Sequence, residues 1–147
     1  MKILKGTLQD VEELSVLFDD YRKFYGKHAD LESARQFLTD RIKNNESVVF
    51  ISRSAQGVLV GFVQLYPIFS STRLTRLWLL NDLFVAPPFR GLGISVALID
   101  VAKIFAKETD SCGLILETDK SNHVANKLYT GTGFTIDKVH NYYSWGQ

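Results

Sequence analysis

The chain has 147 residues, a length typical of one domain of roughly 100–150 residues, and we expect a single domain over residues 1–147. Hydrophobic residues make up 46% and charged residues 22% of the sequence, a balance that excludes a disordered chain and allows a real core. The 17 Lys and Arg against 16 Asp and Glu give a net charge of +1, so no overall field favours nucleic acid as a partner.

Disulfide bonding, export, membrane insertion and metal binding have no signature in the sequence. The single cysteine, Cys112, excludes an intrachain disulfide and favours a reducing compartment, so we expect a cytoplasmic protein. Polar and acidic residues interrupt the N-terminal segment where a signal peptide needs an apolar stretch. The apolar runs are far shorter than the roughly 20 residues of a membrane-spanning helix. His28, His123 and His140 lack the spacing of metal ligands, and no metal is expected.

Helical spacing of apolar residues dominates the first third of the chain. After a short N-terminal strand, Thr7 and Asp10 are placed as a capping box, and the pattern that follows predicts a first helix ending near Gly26. Asp30 precedes a second helical pattern that ends at residues 44 and 45.

The rest of the chain alternates between strand and helix patterns. The β-rich runs 47–53 and 58–66 predict an antiparallel hairpin, residues 67–75 are typical of a loop, and residues 77–85 form a buried strand. The remaining predicted elements are a helix over 92–108, a strand over 114–116, a helix from 122 to 131, and a hairpin of residues 134–139 and 142–145. This order predicts a mixed α/β layer and not a regular βαβ alternation.

The segment between the buried strand and the long helix is rich in glycine. Gly91 and Gly93 let the backbone approach a ligand closely, and N–H groups at a helix N-terminus attract anions. The helix dipole and the Arg90 guanidinium add positive charge, so a phosphate or pyrophosphate is the natural ligand. The alternative is a turn that only lets the helix pack closely on the sheet. The segment matches neither a P-loop nor a dinucleotide-binding fingerprint.

Two blocks of residues carry a family resemblance. The first is the run Arg90-Gly91-Leu92-Gly93, and the second is the set Asn122, Ala125, Leu128, Tyr129, Gly133 and Phe134. In type and spacing both blocks resemble the GNAT superfamily of acetyl-CoA-dependent N-acetyltransferases. The resemblance implies the GNAT fold, of the α/β (α+β) class, with a mixed, mostly antiparallel central sheet of about 6–7 strands flanked by about 4 helices.

The resemblance also implies acetyl-CoA (coenzyme A) as the cofactor. Its phosphates would lie at the backbone N–H groups of residues 91–95, and its pantetheine arm in a gap where the strand over 77–85 splays from the next strand. The implied cofactor-binding residues are Leu83, Val85, Arg90, Gly91, Leu92, Gly93, Ile94, Ser95, Asn122 and Ala125.

Acetylation of an amine needs a base for the ammonium proton and an acid for the departing thiolate. Asp82 is the candidate base, because desolvation inside an apolar strand raises the pKa of a carboxyl group. A structural role at a strand irregularity is the alternative, Glu117 is the second candidate base, and the resemblance implies a β-bulge here. Tyr129 matches the family tyrosine that protonates the thiolate; a core aromatic is its alternative.

Two sequence features bear on the amine that would accept the acetyl group. Residues 80–85 are similar to the corresponding strand of spermidine/spermine (diamine) acetyltransferases and of small histone and polyamine acetyltransferases, although Asn81 stands where the diamine enzymes usually carry Glu. The first two predicted helices supply acids and aromatics that would suit a cationic amine, or simply a solvated helix face. The residues in question are Asp19, Asp20, Asp30, Glu32, Tyr21, Phe24, Tyr25 and His28.

We therefore predict transfer of an acetyl group from acetyl-CoA to a primary amine of a small molecule, such as a polyamine or amino metabolite, by direct attack on the thioester. Tyr21, Tyr25 and Asp82 are the predicted substrate-binding residues. A protein lysine or N-terminal acetyltransferase, or a non-catalytic acyl-CoA sensor, are the alternatives. The resemblance also implies a homodimer, and neither nucleic acid nor membrane is an expected partner.

Overall fold

The computed structural model describes residues 1–146. It confirms the mixed α/β class, with four α-helices and a five-stranded sheet, which is fewer strands than the sequence predicts. In chain order the elements are β1 (Lys2–Lys5), α1 (Val11–Phe24), α2 (Leu31–Lys43), β2 (Val48–Arg53), β3 (Leu59–Ser70), β4 (Thr75–Val85), α3 (Ile94–Glu108), β5 (Leu114–Ile115) and α4 (His123–Gly131).

The sheet has the strand order β1-β2-β3-β4-β5. The first three pairings are antiparallel, and β5 pairs with β4 in parallel. The chain divides into two compact units, Met1–Glu117, which holds the sheet and α1 to α3, and a second unit that begins at Thr118 and holds α4.

The predicted starts of the first two helices are confirmed by their caps. The Thr7 backbone N–H donates to Asp10 Oδ2 at 2.9 Å, and Thr7 Oγ1 accepts from the N–H of Gln9, which completes the capping box before α1. Asp30 Oδ1 accepts from the Ser33 N–H at 3.1 Å and caps α2. These bonds satisfy N–H groups that a helix cannot satisfy internally.

Each face of the sheet carries a separate part of the core. On one face, α1 and α2 bury Leu14 and Leu38 completely against Ile51 and Phe62 of the central strands. On the other face, α3 buries Leu98, Ile99 and Ala102. The start of α3 packs so closely on β3 that a Cβ on Gly61 would lie 3.3 Å from Ile94 Cγ2. The N-terminus of α3 is thereby fixed beside the end of β4.

The predicted loop over residues 67–75 is wrong, because β3 continues to Ser70 and β4 begins at Thr75. The proline at position 67 suggested a break, since proline cannot donate to a ladder. However, the β2–β3 ladder ends at the pair of Val48 and Leu65, so Pro67 lies where β3 has no partner on that side. A proline is tolerated at such an edge.

The predicted C-terminal hairpin of residues 134–139 and 142–145 is also wrong, since the described residues after α4 form no strand. Val139, Tyr142, Tyr143 and Trp145 are each more than four-fifths exposed. Strand propensity measures how well a side chain fits a half-buried pleated surface, and these side chains bury almost nothing. Their β-branched and aromatic pattern was therefore insufficient to predict pairing.

We expect the substitution Leu14→Ala to lower the free energy of unfolding by about 2–5 kcal/mol, because Leu14 is completely buried and the change leaves a cavity. Val16 lies on the same helix but is 51% exposed, so Val16→Ala should change stability by less than about 0.5 kcal/mol. Urea unfolding of both variants tests this expectation. Equal losses would show that α1 does not form the core as described.

Candidate functional site

A β-bulge at Asn81 places the candidate base. Gln64 of β3 pairs with Asp82, but the next residue, Leu65, pairs with Leu80, so Asn81 is an extra residue in β4. The bulge implied by the resemblance is confirmed. In a regular strand residues 80 and 82 would share a face. Here Leu80 lies opposite Leu65 and Asp82 opposite Gln64, which turns the carboxylate toward the α1 side of the sheet.

Asp82 is buried with three side-chain donors around it. It is only 4% exposed. Its Oδ2 accepts from Gln64 Nε2 at 2.8 Å, its Oδ1 accepts from Asn81 Nδ2 at 3.1 Å, and the Tyr21 hydroxyl of α1 also donates to it. Burial raises the pKa of Asp82, and the hydrogen bonds from Gln64, Asn81 and Tyr21 offset part of that increase. The net effect is a carboxyl group that is more basic than an ordinary aspartate.

Two polar residues of this cluster were missed at the level of sequence. Gln64 is completely buried, and its Nε2 also lies 3.2 Å from the Tyr66 hydroxyl. Burial and the nearby Asp82 charge raise the pKa of Tyr66, so the phenol stays protonated. A single glutamine within the otherwise apolar run 58–65 was the signal that could have identified this partner.

The glycine-rich loop presents a row of unused donors at the end of β4. Gly91 and Gly93 both have φ of +77°, a conformation that favours glycine. Within the described chain, the backbone N–H groups of residues 91–96 donate to no protein acceptor. No acidic residue lies in the first turn of α3. The residues present therefore fit an anionic group such as a phosphate.

Arg90 lies at the base of the same loop. Its Nε donates to the Val85 carbonyl oxygen at 2.9 Å, and its guanidinium carbon lies 5.3 Å from the centre of the Phe84 ring and 5.4 Å from that of Phe24. These contacts tie the loop to the last residue of β4. The role of Arg90 in cofactor binding stays a prediction.

The edge of β4 opens beyond a short pairing with β5. The two strands pair only at Trp78 with Leu114 and Leu79 with Ile115. The Ala86 N–H donates to the Val60 carbonyl of β3, so by antiparallel alternation the N–H groups of residues 83 and 85 face away from β3. Leu83 and Val85 thus present main-chain groups at an edge with no paired strand in the part of the chain described. This is the side on which the pantetheine arm was predicted.

The second unit holds the remaining predicted residues. Asn122 Oδ1 accepts from the Ala125 N–H at 3.1 Å and caps α4. Tyr129 is partly exposed on α4, and its ring meets that of Phe134 edge to face with centroids 5.7 Å apart. Glu117 is exposed, unlike Asp82. The proposed contacts of Asn122, Ala125 and Tyr129 with the cofactor stay predictions.

Tyr21 and Tyr25, predicted to bind the acceptor, line a cavity between α1 and α2. Tyr21 also packs against the Phe84 ring of β4, with centroids 5.9 Å apart. Among the residues described, no group of three or more His, Cys, Asp or Glu side chains is placed to hold a metal ion. None of the described helices is both long and apolar enough to span a membrane.

The similarity of the chain to known proteins extends over its whole length. The model of the Acetyltransferase (GNAT) family matches residues 14–134. The uncharacterized N-acetyltransferase YhfO of Bacillus subtilis is 39% identical over 137 residues, which is 93% of this chain and 91% of that protein. A probable acetyltransferase of Haemophilus influenzae is 37% identical over 137 residues, with 93% and 92% covered.

A crystal structure of a probable acetyltransferase superposes with a TM-score of 0.96 at 38% identity, covering 100% of this chain and 98% of that one. The family match includes the bulged strand, the glycine-rich loop and the helix that carries Tyr129. Since sequence, fold and loop geometry agree, the chain belongs to the GNAT family of acetyltransferases and is an N-acetyltransferase.

Proposed function

We propose that the enzyme transfers the acetyl group of acetyl-CoA to a primary amine of a small molecule. The observation that carries this proposal is that one strand, β4, holds a buried carboxylate at Asp82 and ends at a loop of unused N–H donors. Purified enzyme should release free thiol from acetyl-CoA in the presence of a suitable amine. No thiol release with any amine, despite binding of acetyl-CoA, would favour the sensor alternative.

The residues that would hold acetyl-CoA are those of the loop and the open edge of β4. GNAT-fold acetyltransferases use acetyl-CoA, which supplies an acetyl thioester when bound. The N–H groups of residues 91–96 would bind its phosphates, and the main-chain groups of Leu83 and Val85 its pantetheine arm. An outward N–H of β4 would polarise the acetyl carbonyl.

Asp82 would accept the proton of the acceptor ammonium, directly or through water. The amine nitrogen would then form a bond to the acetyl carbon and lose its second proton to water, while the carbon–sulfur bond would break and the thiolate would leave. Tyr129 would donate its phenol proton to that thiolate and recover a proton from solvent. Asp82 would release the proton it accepted to solvent. A raised pKa makes Asp82 a better proton acceptor than an ordinary aspartate.

The protein is expected to be cytoplasmic and to form a homodimer, and both stay predictions. The polyamine class suggested by residues 80–85 is one acceptor class within the proposal. The residues that line the cavity beside Tyr21 give independent information on the chemical class of the acceptor.

We expect Gly93→Ala to weaken acetyl-CoA binding by about tenfold or more, because a Cβ at φ +77° strains the loop and moves its N–H groups. Gly57 has φ +85° in the turn between β2 and β3, outside the loop, so Gly57→Ala imposes comparable strain elsewhere. Calorimetric titration with acetyl-CoA compares the two. Equal affinities in both variants would contradict the role of the loop.

The pH dependence of Asp82 gives a second test. Activity requires ionised Asp82, so kcat/KM should rise with pH through a folded-state pKa above the ordinary value of 3.8. Asp82→Asn should lower kcat by about 100-fold or more and remove this limb of the profile.

The ionisation of Asp82 affects the free energy of unfolding in the opposite direction from its effect on activity. Because its pKa is raised on folding, the native state holds the proton more tightly, and stability falls as pH rises from 3.8 through the folded pKa. Asp82→Asn should lack this decrease. Parallel pH curves of unfolding free energy for both proteins would contradict the raised pKa.

We expect Tyr129→Phe to lower turnover by about 100-fold while leaving acetyl-CoA affinity within about twofold, because only the phenol proton is removed. A hydroxyl without a catalytic role would instead leave turnover unchanged. Rate measurements with free-thiol detection, combined with calorimetry, separate these outcomes.

A further inference from the structure

A cavity between α1 and α2 shares Tyr21 with the surroundings of the candidate base. Its volume is about 410 Å³, within the range of roughly 300–1,000 Å³ typical of small-molecule sites. The aromatic side chains that line it are Phe18, Tyr21, Tyr25 and Phe37. The Tyr21 hydroxyl also donates to the Asp82 carboxylate. A molecule in this cavity is therefore separated from the base by one side chain of the wall.

The acids that would attract a polyamine do not line this cavity, and each is already engaged by a neighbour. Asp19, for example, lies 2.6 Å from Arg22 Nη1 and also accepts from the backbone N–H of Asp30. The full set of pairings is Asp19 with Arg22, Asp20 with Lys23, Asp30 with the Ser33 N–H, and Glu32 with Arg35. Most of these contacts lie within a single helix, and the bond from the Asp30 N–H to Asp19 joins the start of α2 to α1.

The charged residues that do line the cavity are both cationic, Arg22 and Lys27. Arg22 is balanced by Asp19 and also donates to the His28 carbonyl at 3.2 Å. Lys27 has no carboxylate within 4 Å among the residues described. The wall therefore carries one uncompensated positive charge beside four aromatic rings, which disfavours a polycation and suits an anionic group.

Resting on the function proposed above, we infer that the acceptor is a primary amine joined through an aromatic or apolar body to an anionic group, and not a polyamine. The rings would pack against the body, Lys27 would pair with the anion, and the amine would lie on the Asp82 side. A carboxylate and a phosphate share the required charge, so both are tested.

The test compares three amines that share one aromatic body with spermidine, a polyamine that has none. Free-thiol release from acetyl-CoA is measured with para-(aminoethyl)benzoate, tyramine O-phosphate, phenethylamine and spermidine. We expect kcat/KM to be highest for one of the two anionic amines, and the better of them identifies the anion. The variant is Lys27→Glu, and the control is Lys43→Glu at the exposed end of α2, outside the cavity lining.

Lys27→Glu should lower the ratio of kcat/KM for the anionic amine over phenethylamine by about tenfold, mainly through KM, and should improve spermidine relative to phenethylamine. Lys43→Glu should leave both ratios unchanged. A wild-type preference for spermidine, or ratios that Lys27→Glu does not alter, would overturn the inference.

A binding measurement separates this inference from the proposed function. If no amine supports thiol release, the proposed function fails, and calorimetry with para-(aminoethyl)benzoate and with tyramine O-phosphate still tests the cavity. Binding of either one that Lys27→Glu weakens about tenfold would support the cavity as an anionic-ligand site. Absence of binding, or equal binding by both proteins, would refute it.

Discussion

A carboxylate buried in a β-sheet must recover the free energy lost when water is removed from it, and the arrangement around Asp82 follows from this requirement. Gln64 provides a donor from the neighbouring strand, Asn81 one from the bulge itself, and Tyr21 one from α1. These three donors do not fully offset desolvation, so the carboxyl group keeps a raised pKa. Incomplete compensation is what leaves the carboxyl group more basic than an ordinary aspartate.

Local signals explain which elements the sequence could predict. The starts of α1, α2 and α4 were predictable because Thr7, Asp10, Asp30 and Asn122 satisfy end groups within a few residues of themselves. The extension of β3 through Pro67 was not predictable from local signals. It depends on where β2 ends, and this is set by pairing between residues distant in the sequence. The prediction of a C-terminal hairpin failed for the same reason, because a strand pattern does not specify a pairing partner.

The candidate site divides in a similar way. Gly91 and Gly93 were predictable, because their conformation and the helix that follows are local properties. The charge balance of α1 was not predictable, because Asp19 and Asp20 each pair with a basic residue one helical turn away. Counting acids along the sequence therefore overstated the negative potential. Lys27, by contrast, has no carboxylate within 4 Å among the residues described.

The bulge at Asn81 constrains how this site can change over evolutionary time. Asn81 is one extra residue, so its deletion would restore a regular strand. The side chains on one side of the deletion would then exchange sheet faces relative to those on the other side. Asp82 would then lie on the same side as Leu80, against the apolar packing of α3. Point substitutions can adjust the donors around the carboxylate one at a time. Moving the carboxylate to or from the α1 face of the sheet requires the insertion or deletion of one residue within β4.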